Sequence, residues 1–180
     1  SRLEVSELVS RLKSDEVVPA VDRVGLPEFN YRVEAVHGLE AYPLRIDGEV
    51  LIPTYFPIAQ GLAATFNRTA FENMGRVISS EARIWSQHGG LAKSKRPVGP
   101  SVRSPMVNVL RDPRWGRSDE SPSEDPFLTA VFGEHVVKGI QGGRRCVSEV
   151  KHFAAYDIET NEDFEKDGRK GFDAIVSDFD

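Results

Sequence analysis

Two stretches of this chain repeat their apolar residues at helical spacing, and each is followed by an apolar run of strand length. In the first, Phe71, Met74, Val77, Ile78, Ala82 and Trp85 share one face, with Glu72, Arg76, Ser79 and Arg83 opposite. In the second, over about 126 to 140, Phe127, Leu128, Val131, Phe132, Val136, Val137 and Ile140 hold the same period. Pro126 suits its first turn and Gly142 its end. The strand-length runs are Met106 to Leu110, and a second within CVSEVKHFAAYD. Strand, loop, helix, strand, loop, helix is the alternation of a parallel α/β protein.

The remaining segments fit around this frame. Residues 6 to 13 place Leu8, Val9 and Leu12 on one face of a short helix. YRVEAVHG (31–38) reads as a short strand or strand end closed by Gly38. EVLIPTYFPIAQGLAATF (49–66) is apolar but rich in Pro and Gly, which predicts strands and turns rather than helix. A glycine-containing loop covers 88–104, and FDAIVSD near the end begins a further element.

With 180 residues, 39% hydrophobic and 28% charged, the chain can build one ordinary domain with a real core. Its net charge of -5 is spread along the chain, which gives no support to nucleic-acid binding, where a basic stripe is the usual sign. No apolar run approaches the twenty residues a membrane helix needs. The amphipathic N-terminus lacks the apolar centre of a signal peptide, which leaves open a signal upstream. Cys146 is the only cysteine, so no internal disulfide forms, and core packing is the expected role for it. Asn67-Arg68-Thr69 is a glycosylation acceptor pattern, meaningful only in a secreted chain.

In parallel α/β folds, function sits in the loops at the carboxyl ends of strands. The notable polar residues fall there: Arg111 to Arg117 after the run ending at Leu110, Lys151-His152 after Val150, and Glu34 and His37 closing the first strand. RDPRWGRSDESPSEDP (111–126) holds three arginines, five acids and one tryptophan. Two readings stand for it: a self-neutralising loop, or a loop in which one guanidinium points its donor fork at neighbouring oxygens. Lys151-His152 is likewise either a solvated lysine beside a histidine bonded to backbone, or a pair of strong donors beside a ligand. Glu34 and His37 lack the further ligands a metal would need, and GGLAKSK has neither a phosphate-loop nor a dinucleotide spacing, so neither a metal nor a cofactor is expected.

Taken together, LVSRLKSDEV, RVGLPEFNYRVEAVHG, FPIAQGLAATF, ISSEARIWS, PMVNVLRDPRWGRSDESPSEDP and KHFAAYD resemble, in order, family 3 glycoside hydrolases. The resemblance is nearest to the β-xylosidase-like branch and covers nearly the whole chain from about residue 6. It implies that residues 1–180 are the N-terminal portion of a (β/α)8 TIM-barrel-like domain, truncated to its first part, with later domains absent. It also implies a secreted, exo-acting, retaining β-glycosidase that takes a β-linked oligosaccharide; from charge and hydropathy, no nucleic-acid or membrane partner is expected. Xylo-oligosaccharides are the first choice; β-glucosidase or α-L-arabinofuranosidase activity, or a vestigial sugar-binding role, are alternatives. Residues matching the family's sugar-holding positions are Glu34, Arg117, Lys151 and His152, with Arg169 as a further arginine of the xylosidase branch. The loop before Arg169 is longer than usual for the family. By the same resemblance, Glu34 stands where the glucosidase branch carries a shorter aspartate, which favours a pentose over a sugar with a hydroxymethyl group.

Retaining hydrolysis needs two carboxyl groups, one as nucleophile and one as acid/base. In the family the nucleophile lies well beyond KHF and the acid/base on a later domain. Asp178 in VSDFD is only 27 residues past Lys151, far less than the family interval, and is therefore expected not to be the nucleophile. The chain is thus expected to carry much of the sugar-binding wall and no confirmed catalytic residue.

Overall fold

The computed structural model of the chain describes residues 3–12, 17–31, 33–113, 115–143, 146–153 and 156. Its elements in chain order are α1 (Val5–Leu12), β1 (Val17–Val18), β2 (Phe29–Asn30), β3 (Leu44–Ile46), β4 (Glu49–Leu51), α2 (Ala59–Ala63), α3 (Arg68–Gln87), β5 (Ser101–Val102), α4 (Pro126–Gln141) and β6 (Val147–Ser148).

Local chemistry sets the two long helices. Asn67 caps α3, its Oδ1 accepting from the Ala70 amide at 3.1 Å, and Asp125 caps α4, accepting from the Phe127 amide at 2.9 Å. Each cap satisfies one of the amides that a helix start leaves without a partner. Pro126 opens α4, where its missing N–H costs nothing, and the Gly142 amide closes it on the Lys138 carbonyl.

The two helices pack face to face through glycine. A methyl group on Gly75 would lie 2.4 Å from the Val136 carbonyl oxygen, and one on Gly139 would lie 2.1 Å from that of Glu72. The backbones therefore touch at this crossing, and Phe71 and Phe132 meet beside it with ring centroids 5.0 Å apart. Val33, Ala35, Leu39, Val98, Val102 and Cys146 fill the core beneath. Cys146 packs there as expected, and burial pushes its thiol up to about 11.

Three chain segments run parallel in the order 33–35, 101–107, 147–151. Glu34 pairs with Arg103, β5 pairs with β6, and Met106 pairs with Lys151. α3 lies between the first and second segments in sequence and α4 between the second and third, as a parallel α/β arrangement requires. From Val102 to Met106 the second segment advances four residues while the third, from Ser148 to Lys151, advances three. The extra residue falls around Ser104-Pro105 and re-phases the side chains beyond it. Among the described residues the parallel segments form no closed barrel.

Several sequence expectations need correction. The 31–38 run is not a continuous strand; β2 pairs antiparallel with β1, and only Glu34 forms a parallel bridge. Of Met106–Leu110 only Met106 is bridged, because Leu110 turns away to donate to the Ser123 carbonyl. Residues 49–66 include a helix, α2, which starts two residues after Pro57, because that proline restrains Phe56 before it and leaves the residues after it free to be helical. The 88–104 loop contains β5. Ser79, placed on the polar face of α3, is buried because α4 crosses one turn away at Gly75. Phe127, assigned to the apolar face of α4, is 70% exposed, since the buried stripe runs through Thr129, Phe132, Val136 and Ile140. The element beginning at FDAIVSD lies outside the described residues.

Candidate functional site

At the carboxyl ends of the parallel segments lies a cavity of about 370 Å³. Three cations, Arg103, Arg117 and Lys151, face three carboxylates, Glu34, Glu40 and Glu120; His37, His152, Val36 and Ile58 complete the lining. A balanced set of fixed donors and acceptors suits a neutral ligand that both gives and takes hydrogen bonds, since a net charge would leave one side unmatched.

Glu34 is the centre of this set. Lys151 Nζ donates to its Oε2 at 2.6 Å, and Arg103 Nη1 donates to its Oε1 at 3.4 Å. The Lys151 side chain is only 12% exposed, so its ammonium depends on that partner. Arg103 also lies 3.7 Å from Glu149, which in turn accepts from Ser101. Burial pushes the Glu149 carboxyl above the usual range. Register explains the string: the bridge aligns Glu34 beside Arg103, and the β5–β6 pairing carries on towards Glu149.

Arg117 ends the charged loop just before a 3-10 turn, Ser118–Glu120. Its Nε and Nη2 donate to the two carboxylate oxygens of Glu120 at 2.6 and 2.7 Å, a bidentate fork. Burial alone would raise the Glu120 carboxyl, but the Arg117 hydrogen bonds and the charges of Arg117 and Lys151 hold it below the usual range. Tyr156 sits under this group: its ring is 5.7 Å from the Arg117 guanidinium, 4.7 Å from the His152 ring and 5.4 Å from the Trp115 ring. Trp115 is buried below Tyr156, which explains why so polar a loop carries a tryptophan.

His152 follows Lys151 through a cis peptide bond. The buried Asn108 determines what its ring can do. The His152 amide donates to Asn108 Oδ1 at 2.7 Å, and Asn108 Nδ2 donates to the His152 carbonyl at 3.4 Å. Both backbone partners have fixed roles, so the side-chain amide has one orientation. The His152 Nδ1, 3.3 Å from the same Oδ1, must then carry the proton, leaving Nε2 as an acceptor. Burial, then the Lys151 and Arg117 charges, lower the His152 pKa to about 4, so the ring is neutral at pH 7. This corrects the reading of Lys151-His152 as two donors: the pair is one cationic donor and one neutral acceptor. His37 Nδ1 donates to the Phe56 carbonyl at 3.1 Å.

The structure thus brings Glu34, Arg117, Lys151 and His152, from three distant parts of the chain, into one cavity. Arg169 and Asp178 lie outside the described residues. Of the other two arginines in the charged loop, Arg111 is exposed and Arg114 lies outside the described residues. Sequence reasoning missed Arg103, Glu40, Asn108 and Tyr156. The sequence did hold a signal for Asn108, an amide inside the apolar run MVNVL; Arg103 was hidden because β5 is two residues long.

The sequence model of the Glycosyl hydrolase family 3 N terminal domain matches residues 44–168. A probable exo-1,4-beta-xylosidase of Aspergillus terreus is 37% identical over 170 residues, covering 90% of this chain and 21% of that protein. The chain therefore spans about a fifth of the length of this curated relative. A solved family 3 exo-beta-xylosidase in complex with a xylobiose aziridine probe aligns with TM-score 0.72 at 31% identity, covering 87% of this chain and 20% of that one. Beta-glucosidase 3B of Thermotoga neapolitana in complex with glucose aligns with TM-score 0.65 at 32% identity, covering 81% and 18%. With its family match running from β3 through both long helices and past Lys151-His152, the chain belongs to glycosyl hydrolase family 3.

Proposed function

We propose that the cavity is the sugar-binding wall of an exo-acting, retaining β-glycosidase, and that residues 1–180 are the N-terminal portion of its (β/α)8 barrel domain. The observation that carries this reading is the Lys151–Glu34 pair at 2.6 Å, in one cavity with Arg117 and His152. A ring hydroxyl can donate to Glu34 or to His152 Nε2 while accepting from Lys151 or Arg117. Val36 and Ile58 supply apolar contact for ring carbons. Arg169, outside the described residues, is proposed as one more donor to the same sugar.

A β-linked xylose is the first-choice ligand. Glu34 is one methylene longer than aspartate and is pinned by two cations, so it fills space that a hydroxymethyl group would occupy. The xylosidase among the solved relatives, aligned at TM-score 0.72, supports the same choice. The glucosidase reading is kept alive by the glucose-bound relative at TM-score 0.65.

In this reading the chain binds the sugar and does not cleave it. Glu34 and Glu120 are committed to Lys151 and Arg117, so neither is placed to act as nucleophile or acid/base. Calorimetric titration with xylose, xylobiose and glucose tests the binding, and nitrophenol release from an aryl β-xyloside tests the chemistry. Xylose binding that Glu34→Gln weakens, without turnover, is the expected pair of results. Tighter binding of glucose would move the chain to the glucosidase reading, and turnover abolished by Asp178→Ala would make Asp178 the nucleophile.

A further inference from the structure

The turn between α2 and α3 carries a feature unrelated to the cavity. Asn67 is exposed, and the two ends of its side-chain amide differ. Its Oδ1 is occupied, accepting from the Ala70 amide at 3.1 Å as the cap of α3. Among the described residues its Nδ2 has no hydrogen-bond partner. Thr69, two residues on, is also exposed, and Asn67-Arg68-Thr69 is the chain's single Asn-x-Ser/Thr pattern.

An unrelated observation points to the same place. Phe66, directly before Asn67, is 73% exposed and held in the left-handed region at φ 52. No ring contact covers it among the described residues. Among the described residues nothing buries this large apolar side chain, which leaves its ring in contact with water.

We propose that Asn67 is an acceptor for an N-linked glycan in a chain that enters the secretory pathway, and that the first sugars of that glycan cover Phe66. The donor is a lipid-linked oligosaccharyl diphosphate, and the membrane transferase acts before the segment folds. Asn67 Nδ2 forms a bond to the anomeric carbon of the first sugar. The bond from that carbon to the diphosphate oxygen breaks, the lipid diphosphate leaves with the electron pair, and one amide proton passes to a base of the transferase. The oxygen side of the amide is untouched, so the cap of α3 survives modification. The apolar face of the attached sugar then lies within reach of the neighbouring ring.

The chain is expressed behind a secretion signal in yeast and its intact mass and peptides are measured. The expected result is an oligosaccharide increment on the peptide holding Asn67, lost in both Asn67→Gln and Thr69→Ala. Thr69→Ala keeps the capping asparagine, so loss of the increment there reports the acceptor pattern and not a damaged helix. Enzymatic release leaves an aspartate, which can still cap α3, and is expected to lower Tm in the parent chain but not in Phe66→Ser. A secreted chain without sugar at Asn67, or sugar that persists in Thr69→Ala, overturns the site. An equal Tm loss in Phe66→Ser overturns the covering of Phe66.

Discussion

Lys151 and Glu34 are 117 positions apart in sequence, yet the Lys151 ammonium donates to the Glu34 carboxylate at 2.6 Å. Neither residue reaches the other through a local element. The contact exists because the three parallel segments place Glu34, Arg103 and Lys151 at the same end of the sheet.

Glu34→Gln keeps the side-chain shape and removes the charge that Lys151 and Arg103 share. Charge-assisted hydrogen bonds contribute about 1.5–3 kcal/mol, so sugar affinity is expected to fall roughly 10- to 100-fold in calorimetric titration. The buried ammonium also loses its counter-charge, and Tm is expected to drop. Affinity and Tm both unchanged would show that the pair takes no part in binding.

Asn108→Ala removes the acceptor for the His152 amide and the group that fixes its ring. Asn108 is 6% exposed, so no bulk solvent replaces the bond, and a destabilisation of about 1–3 kcal/mol is expected in chemical denaturation. Asn108→Asp is expected to act differently. Its carboxylate would favour the imidazolium, raising the His152 titration midpoint in a proton NMR titration.

The lowered His152 pKa predicts a direction for stability against pH. The ring titrates at about 4 in the fold and near 6.5 when unfolded, so the unfolded chain binds more protons between those values. His152 therefore leaves stability unaffected above about pH 6.5 and reduces it as pH falls towards 4. Replacing it in His152→Gln is expected to flatten this part of the Tm–pH curve. A parent curve that is already flat from pH 7 to 4 would contradict the neutral ring.

Glycine substitutions should divide by sign. At Gly75 and Gly139 an added methyl meets carbonyl oxygen of the facing helix at 2.4 and 2.1 Å, and overpacking of this kind costs about 1–3 kcal/mol or more. At Gly61, in α2, the nearest atom is 3.6 Å away, so Gly61→Ala is expected to stabilise by about 0.5–1 kcal/mol. Thermal melts of the three single variants check the contrast.

Much of the architecture was legible because its causes are local. The apolar period from Phe71 to Trp85 and the start at Pro126 depend on neighbours within a turn or two, and α3 and α4 fall where that period puts them. The two-residue strands were poorly legible, since β5 has too few residues for any alternation to emerge. Asp47-Gly48, joining β3 to β4, is a hairpin signal legible in the sequence.

The sequence by itself determined the α/β alternation, the placing of charge at strand ends and the family. Which charges meet was decided only in three dimensions. Of the arginines in the 111–117 loop, Arg117 lines the cavity, gripped by Glu120, while an arginine from another segment, Arg103, shares Glu34 with Lys151. Periodicity records which face a residue occupies on its own element. Partners across the sheet depend on register, and here one extra residue between Val102 and Met106 sets it.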